Sequence, residues 1–190
     1  GNNVTAWKGS DSIVAYYDSN YKEFHIFYHD ENYNLGDGLV EIPITDFEVG
    51  NNIFAFIDKY QLTFTVFYKG DYIDLSTVIR NVDFKVNADI VAYTDDETNT
   101  FKAFFKGDIY DLETLPPVSY KVGHGTVAYV NQNQEFIVFY NGDNKSAGVS
   151  PNSYPAGSPQ TGNSKLESLV KLYFSHREED RVIEEGVITY

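Results

Sequence analysis

The histidines are the first residues of this chain to consider for metal binding or proton transfer. His25, His29 and His124 each stand where related segments of the chain carry a different residue type. His25 and His29 are four residues apart, so in a strand they would share a face but lie about 13 Å apart along the chain. One ion could not contact both side chains. We therefore interpret these histidines as polar variation at exposed positions and predict no metal site on them.

Oxygen ligands at alternate positions form a second candidate site. Asp30, Asn32, Asn34 and Glu41 occupy positions 1, 3, 5 and 12 of one segment, as in the calcium loop of helix-loop-helix proteins. Two features argue against that loop: Leu35 stands at position 6, where glycine is required, and the flanking sequence is not helical. Calcium is the one cofactor that the sequence suggests, and a polar, turn-forming connection is the simpler interpretation.

No sequence motif for catalysis is present. The chain has no Gly-x-Ser-x-Gly turn, no His-Glu-x-x-His, no phosphate-binding glycine loop and no cysteine nucleophile. Its 28 acidic residues are numerous enough that some carboxylates will lie close together without any catalytic role. The acidic run at 95–97 is interpreted as a solvated loop, and we predict that the protein is not an enzyme.

The aromatic side chains are the remaining candidates for ligand binding. The chain contains 16 Tyr, 14 Phe and a single Trp. Trp7, Tyr16, Tyr93 and Tyr129 could present their rings for stacking on a sugar or a peptide, because amphipathic aromatic residues are enriched at binding surfaces. The alternative is that tyrosines at recurring positions pack inside the fold.

The charge of the chain limits its partners. Acidic residues outnumber basic residues by 28 to 14, which gives a formal net charge of −14 and makes nucleic acid an unexpected partner. The absence of cysteine excludes disulfides and thiolate metal sites, and no run of 18 apolar residues could span a bilayer as a helix. Because the chain lacks methionine, we expect Gly1 to be a processing remnant left after removal of any export signal.

These candidates are carried by a tandem repeat that occurs four times. Its centre is an Ala-containing tetrad: Ile13–Tyr16, Ile53–Phe56, Ile90–Tyr93 and Thr126–Tyr129, with Ala-to-Ala steps of 40, 37 and 36 residues. Each tetrad is followed by a Phe-rich block: Phe24–Tyr28, Phe64–Tyr68, Phe101–Phe105 and Phe136–Tyr140. A further block precedes each tetrad: Trp7–Gly9, Phe47–Gly50, Phe84–Asn87 and Tyr120–Gly123. Gly-Asp turns follow three of the Phe-rich blocks, and two of these turns lead into a short echo such as Tyr72–Leu75.

Each unit is predicted to be a four-stranded antiparallel meander. Polar stretches such as 18–20 and 131–134 separate the β-rich blocks, and their Asn, Asp and Ser content is typical of hairpin turns. The central strands are apolar on both faces, because Phe64 and Val66 lie on one face and Phe67 on the other. A sheet with one solvated face would alternate apolar and polar residues, so these sheets are expected to be covered on both sides.

Sheets that are covered on both sides and arranged in tandem fit blades stacked around an axis. We predict an all-β, β-propeller-like array of four-stranded antiparallel repeats of about 37 residues, which spans residues 1–145. The repeats leave ring closure unexplained, so the array is expected to be incomplete, open or closed by another copy of the chain. An open β-sheet stack or a solenoid is the alternative fold.

The C-terminal part of the chain departs from the repeat. Residues 146–164 are rich in Gly, Ser, Pro and Asn, which predicts a linker or a long surface loop. A capping-box pattern and apolar residues at helical spacing predict a short helix over 165–176, with a strand through 170–174 as the alternative. Val187–Tyr190 is predicted to be a final strand, so residues 165–190 would pack on the β domain or close it.

The repeat blocks resemble those of uncharacterised exported bacterial tandem-repeat proteins of β-propeller-like type. The resemblance is carried by Val122-Gly123, Val127–Tyr129, Phe136–Asp143 and Tyr110–Glu113, and it covers about residues 4–145. It implies an exported, non-catalytic scaffold, located in the periplasm, at the cell surface or in the medium. It implies no functional residue, because the shared pattern is that of the repeat.

The residues and the resemblance lead to one functional hypothesis with two rivals. We expect a non-catalytic, extracytoplasmic binding or scaffold module that engages a protein or a glycan through loop surfaces. A carbohydrate-active hydrolase or lyase is the first rival, and a structural segment of a larger surface protein is the second. A homo-oligomer that closes the repeat array is a further expected assembly.

Overall fold

The chain folds into four consecutive β-sheets of four strands each. The structure, a computed structural model, describes residues 4–35, 44–59, 61–78 and 80–146. Blade 1 consists of β1 (Val4–Gly9), β2 (Ile13–Asp18), β3 (Glu23–Tyr28) and β4 (Glu31–Leu35). Blade 2 consists of β5 (Ile44–Val49), β6 (Ile53–Asp58), β7 (Thr63–Tyr68) and β8 (Asp71–Thr77). Blade 3 consists of β9 (Phe84–Asn87), β10 (Ile90–Asp95), β11 (Thr100–Phe105) and β12 (Asp108–Glu113). Blade 4 consists of β13 (Ser119–Gly123), β14 (Thr126–Val130), β15 (Phe136–Tyr140) and β16 (Asp143–Ser146).

Each blade is an antiparallel meander whose strands pair in chain order. The prediction of an all-β, β-propeller-like array is therefore confirmed, and the described sheets form an open series that does not close into a ring. Over the same residues, no helix has the length and apolar character needed to cross a membrane. The predicted linker beyond Ser146, the helix over 165–176 and the final strand at 187–190 lie outside the described residues.

The hairpin between the third and fourth strands has the same two-residue turn in every blade. Both turn residues have positive φ in all four copies: His29-Asp30, Lys69-Gly70, Lys106-Gly107 and Asn141-Gly142. This conformation matches the right-handed twist of the flanking strands, which is why such turns favour Asn, Asp and Gly. His29 is thus a turn residue, with its ring 4.2 Å from that of Tyr28.

The central strands of the blades are apolar on both faces, and adjacent blades pack against each other through these faces. In blade 2, Phe54, Phe56 and Phe67 lie in a cluster with residues of blade 1, and we call the face that carries them the leading face. Phe64 and Val66 lie on the opposite face, in a cluster with residues of blade 3, and we call that face the trailing face. A third cluster joins blades 3 and 4 in the same way. The predicted assignment of side chains to the two faces is confirmed.

The small alanine at the centre of each second strand lies on the trailing face. Ala15 is fully buried in the cluster that contains Phe54 and Phe56 of the next blade. Ala55 is buried in the same way in the cluster that contains Val91 and Tyr93. A larger side chain at these positions would compete for space with the aromatic rings of the following sheet, since protein interiors are close-packed.

The innermost strands of neighbouring blades are joined by lysine side chains. Lys8 Nζ donates to the carbonyl oxygen of Phe47 at 2.6 Å and lies 4.9 Å from the centre of that ring. Lys85 Nζ donates to the carbonyl oxygen of Tyr120 at 2.9 Å and lies 4.3 Å from its ring. Burial lowers the pKa of Lys85, because desolvation disfavours the charged ammonium. Each lysine therefore connects one blade to the main chain of the next.

The leading-face phenylalanines provide a test of the blade packing. Phe104 is fully buried, whereas its cross-strand partner Ile109 is 48% exposed. We expect Phe104→Ala to lower the free energy of unfolding by about 3–5 kcal/mol, through lost burial and the cavity that remains. Ile109→Ala, on the same blade, should cost less than about 1 kcal/mol. Urea denaturation followed by far-UV circular dichroism measures both, and equal losses would contradict the packing described above.

Gly50 provides a second test, at the junction of blades 2 and 3. A Cβ atom at this position would lie 2.3 Å from the carbonyl oxygen of Ala88, so the main chains would have to move apart. Gly123 occupies the same position in blade 4, and a Cβ atom there would meet nothing closer than 3.9 Å. We expect Gly50→Ala to destabilise the protein by about 1–3 kcal/mol and Gly123→Ala to leave its stability nearly unchanged, as thermal unfolding would show.

Candidate functional site

None of the four described blades covers the leading face of blade 1. Trp7 pairs with Tyr16 across β1 and β2, and Val14 pairs with Phe27 across β2 and β3, so these four side chains share one face. Trp7 is 68% exposed, Phe27 is 44% exposed and Val14 is 37% exposed. We call this surface the open face; its members are Trp7, Val14, Tyr16, Glu23, His25, Phe27, Asn32 and Asn34.

The same positions are buried in the other blades. Blades 3 and 4 carry the same three residue types as Val14, Tyr16 and Phe27, and none of the six side chains is more than 1% exposed: Val91, Tyr93, Phe104, Val127, Tyr129 and Phe139. Blade 2 carries three phenylalanines at these positions, and they are equally buried: Phe54, Phe56 and Phe67. The open face therefore has the composition of an internal blade contact but is exposed to solvent.

The polar half of the open face is held by contacts across the strands. The imidazole ring of His25 stacks on the ring of Tyr16, with 5.0 Å between centroids and 16° between planes. His25 Nδ1 lies 2.8 Å from Oδ1 of Asn34. The other ring nitrogen, Nε2, lies 3.8 Å from Oε2 of Glu23. His25 is thus oriented by Tyr16 and Asn34.

The equivalent positions in blades 2 and 3 also hold polar cross-strand pairs. Thr65 Oγ1 donates to Asp74 Oδ1 at 2.6 Å, and Lys102 Nζ lies 3.8 Å from Asp111 Oδ1. His25 differs in residue type from the equivalent residues of the other blades, but with Asn34 it forms a polar cross-strand pair like theirs. The histidine position considered alone in the sequence does not show this pairing. Blade 1 carries the neutral Asn34 where the next two blades carry an aspartate.

Two of the four predicted ligand-binding aromatics lie inside the fold. Tyr93 and Tyr129 are fully buried, and their hydroxyl groups donate to the carbonyl oxygens of Leu75 and Leu112 at 3.5 and 3.2 Å. Burial raises the pKa of both phenols, because the phenolate would lose its hydration. Neither ring is accessible to a ligand, so the prediction is corrected for these two residues. It stays a prediction for Trp7 and Tyr16.

The proposed calcium segment has a different local structure from the one expected. Asp30 lies in the hairpin turn, whereas Asn32 and Asn34 lie on β4. The alternation that resembled a ligand pattern is the period of a strand, since Leu35 points to the buried trailing face and the two asparagines point to the open face. Glu41 lies outside the described residues. Among the residues that the structure describes, no group of three or more His, Asp or Glu side chains could hold a metal ion.

A buried polar residue ends the second strand of blades 1 to 3 and directly follows that of blade 4. These residues are Asp18, Asp58, Asp95 and Asn131, and each is at most 6% exposed. The carboxylate of Asp18 accepts from the amide of Asn20, and that of Asp58 accepts from the amide of Gln61. They therefore satisfy main-chain donors in the loop that follows the strand, which is a structural role.

Asp95 is the centre of the most extensive of these networks. Its carboxylate accepts hydrogen bonds from Ser76 Oγ at 2.9 Å and from Lys102 Nζ at 2.7 Å, as well as from the amides of Glu97 and Thr98. Burial alone would raise its pKa, but these hydrogen bonds outweigh burial and lower the pKa to about 2. Asp96 is also buried, so the prediction of a solvated acidic loop is wrong for both aspartates.

An open groove of about 470 Å³ lies between the innermost strands of the first three blades. Its lining consists of Lys8, Asp46, Phe47, Glu48, Asn81, Val82, Asp83 and Phe84. Glu48 is already paired with Lys8, at 2.9 Å, which leaves Asp46 and Asp83 as the carboxylates that could meet a ligand there. This groove is where the rival hypothesis of a carbohydrate-active enzyme can be examined.

A model of a protein family matches most of the chain. It is described as the 10-bladed beta propeller domain, and it matches residues 1–159. No curated protein matches the chain.

Solved structures with similar folds include two natural proteins and one designed protein. The ectodomain of the receptor kinase CR4 from Physcomitrella patens is 11% identical, with a TM-score of 0.51 over 85% of this chain and 46% of that one. Prp20p from Saccharomyces cerevisiae is also 11% identical, with a TM-score of 0.44 over 73% of this chain and 43% of that one. The computationally designed Ika4 protein is 16% identical, with a TM-score of 0.38 over 73% of this chain and 91% of that one. The chain spans less than half the length of the two natural proteins, and the likeness concerns the fold alone.

The Asp95 network predicts a specific dependence of stability on pH. An aspartate with a pKa near 3.9 in the unfolded chain and about 2 in the fold stabilises the protein above pH 4, and this contribution is lost as the pH falls towards 2. Asp95→Asn should lower the free energy of unfolding at pH 7 by about 1.5–3 kcal/mol, because Lys102 loses its charged partner.

Asp111→Asn is the matched control for this prediction. Asp111 also faces Lys102, but its side chain is 83% exposed, so its removal should cost less than about 1 kcal/mol. Urea denaturation at pH 7 and at pH 2.5 distinguishes the two variants. An Asp95→Asn deficit that is as large at pH 2.5 as at pH 7 would contradict the role of the ionised carboxylate.

Proposed function

The chain belongs to the family described as the 10-bladed beta propeller domain, and on that premise we propose that it is a non-catalytic binding or scaffold module that engages another protein. The observation that carries the proposal is the open face of blade 1. Its Trp7, Val14 and Phe27 are exposed, whereas the residues at the same positions in the later blades are buried.

The composition of the open face favours a protein partner. Aromatic residues are enriched at the centre of protein interfaces, and Trp and Tyr are the commonest residues whose truncation weakens binding. Complete burial of an apolar side chain such as Val14 or Phe27 is favourable by about 1.5–3 kcal/mol of free energy. The exposure of three such residues therefore favours a partner that buries them. In blades 2 to 4 the leading face is covered by the β-sheet of the preceding blade. The residues at these positions therefore already pack against a protein surface within the fold.

We place this module outside the cytoplasm, as an exported or surface-bound protein. The support for this location is the resemblance of the repeat blocks to those of exported bacterial repeat proteins. The formal net charge of −14 is a reason to leave nucleic acid out of the proposed partners. A glycan is the second candidate ligand, because the exposed Trp7 and the stacked pair of Tyr16 and His25 offer ring faces to a sugar.

Two rival functions remain to be separated from this proposal. A hydrolase or lyase would use carboxylates, and Asp46 and Asp83 line the groove between the innermost strands. A structural segment of a larger surface protein would use neither the groove nor the open face for a ligand. The three possibilities differ in whether a polysaccharide is cleaved and in which surface a partner contacts.

The test uses a phage-displayed random peptide library, a glycan array and a polysaccharide cleavage screen, all with the purified 190-residue chain. We expect selected peptides to bind the open face, and Phe27→Ser to weaken them at least about tenfold, as loss of a central interface residue does. Leu115→Ser is the matched control, because Leu115 is 52% exposed but lies in the connection between blades 3 and 4.

The cleavage screen decides against the proposal if a polysaccharide is degraded and the activity is lost in Asp46→Asn and Asp83→Asn. Binding of array glycans that is abolished in Trp7→Ala would instead favour the glycan alternative. Peptides that bind Phe27→Ser as well as the original chain would place the binding surface elsewhere.

A further inference from the structure

The trailing face of blade 4 is buried, although no fifth sheet is present among the described residues. Four apolar side chains form the centre of this face, on β14 and β15: Ala128, Val130, Phe136 and Val138. Each is at most 4% exposed, and none belongs to the three hydrophobic clusters that join the described blades. A further layer of the molecule must therefore lie against this face.

The leading face of blade 1 shows how exposed such side chains are when no described sheet covers them. Val14 and Phe27 pair on the two central strands of blade 1 and are 37% and 44% exposed. Val138 pairs with Ala128 on the two central strands of blade 4 and is 1% exposed. Strand pairing within a sheet thus does not bury side chains of this size, whereas a second layer does.

Residues 147–190 are the candidates for this layer, because the other residues outside the described ranges are too far away or too few. Residues 36–43 connect blade 1 to blade 2, and their extended length of about 30 Å does not allow them to pass two sheets at about 10 Å spacing and return. Residues 1–3 precede blade 1, at the other end of the array, and Tyr60 and Ile79 are single positions beside strands of blade 2. Residues 147–190 directly follow β16 of blade 4.

Within this segment, residues 165–176 have the composition and the length that the buried face requires. They carry apolar residues at helical spacing: Leu166, Leu169, Val170 and Tyr173. A helix over 165–176 would be about 18 Å long, and the five residues of β14 span about 17 Å. Residues 147–164 are rich in Gly, Ser, Pro and Asn, residues 177–185 are mainly charged, and Val187–Tyr190 is shorter than either central strand.

The stretch between β16 and residue 165 is long enough to allow this contact within one chain. If residues 147–164 behave as a flexible linker, their ends are separated by about 21–25 Å on average, which is close to the length of a strand. A linker that matches the distance it must span gives an effective concentration in the millimolar range. The segment of the same chain therefore competes well against a segment from a second copy.

We propose that residues 165–176 pack on the trailing face of blade 4 and cap the array at that end. Their apolar side chains cover blade 4 as Val127 and Tyr129 of blade 4 cover blade 3. Glu167 and Lys171 lie on the other side of the predicted helix, so the cap presents a polar surface to solvent, as terminal units of repeat arrays do. The inference concerns the end of the array opposite to the open face and does not depend on the proposed binding function.

The first experiment is a double-mutant cycle in the 190-residue chain, measured by urea denaturation. Leu169→Ala and Val138→Ala remove side chains from the two sides of the proposed contact. We expect their effects on the unfolding equilibrium constant to depart from additivity by more than about threefold, because residues of one packed cluster are energetically coupled. Val66→Ala is the matched control, since Val66 has the position of Val138 in blade 2 and should combine with Leu169→Ala additively within about twofold.

Hydrogen exchange of the same full chain, followed by mass spectrometry, locates the cover. We expect Leu169→Ser to accelerate exchange of the amide hydrogens of β14 and β15 at least about tenfold, because loss of the cap favours local opening of blade 4. Exchange in β6 and β7 of blade 2 should stay unchanged. The matched control is Lys171→Ser, on the polar side of the predicted helix, and it should leave all four strands unchanged.

Two results would overturn the inference. Exchange of β14 and β15 that is unaffected by both Leu169→Ser and Tyr173→Ser, together with additive effects in the double-mutant cycle, would show that the cover is a different part of the chain. Protection of β14 and β15 that is lost on dilution from about 100 to 1 μM would show that a second copy provides the cover. Peptide binding that requires Phe27 would survive either result, so failure of the cap and failure of the proposed function are separated.

Discussion

The need to cover both faces of each sheet is the constraint on which the rest of this structure depends. The two central strands of every blade carry apolar side chains on both sides, and a sheet of that kind is stable only between two other surfaces. Each large aromatic residue on the leading face gains about 1.5–3 kcal/mol from burial, and the small alanine on the trailing face leaves room for the rings of the next blade. Adjacent blades meet the constraint for each other, and within the described ranges the leading face of blade 1 has no such cover.

Two tyrosine hydroxyls and two lysine ammonium groups at the blade contacts are paired with the neighbouring blade. The hydroxyl groups of Tyr93 and Tyr129 donate to main-chain carbonyls of the preceding blade, and Lys8 and Lys85 donate to main-chain carbonyls of the following one. An unpaired buried polar group would cost about 1–3 kcal/mol, so these bonds make the contact between blades specific as well as apolar. Tyr16, at the position of Tyr93, has no preceding blade within the described residues, and its ring stacks instead on His25.

The repeat made the fold predictable, whereas the candidate site depended on information that a sequence does not contain. Four recurring blocks, of which the two central ones are apolar on both faces, were sufficient to predict the strands, their order and their two faces. The segment after His29 was misinterpreted as a polar loop because Asn32 and Asn34 obscured the strand, and only the pairing with β3 makes it one. The residue types did not predict that Trp7 is exposed and Tyr93 is buried, because both are aromatic residues in recurring blocks. What separates them is the position of each blade, because a described blade covers the leading face of blade 3 and none covers that of blade 1.

The sharing of hydrophobic clusters between adjacent blades makes stability a property of neighbours. Each of the three hydrophobic clusters contains residues of two adjacent blades, so no described blade has a complete hydrophobic core of its own. Arrays of this type behave as one-dimensional chains in which each unit has an intrinsic stability and a coupling to the next. Among the described blades, blades 1 and 4 each share a cluster with one neighbour and blades 2 and 3 with two, so amide hydrogens of β2 and β3 would exchange with solvent earlier than those of β6 and β7. A partner that binds blade 1 would therefore also stabilise blade 2, through the hydrophobic cluster that the two blades share.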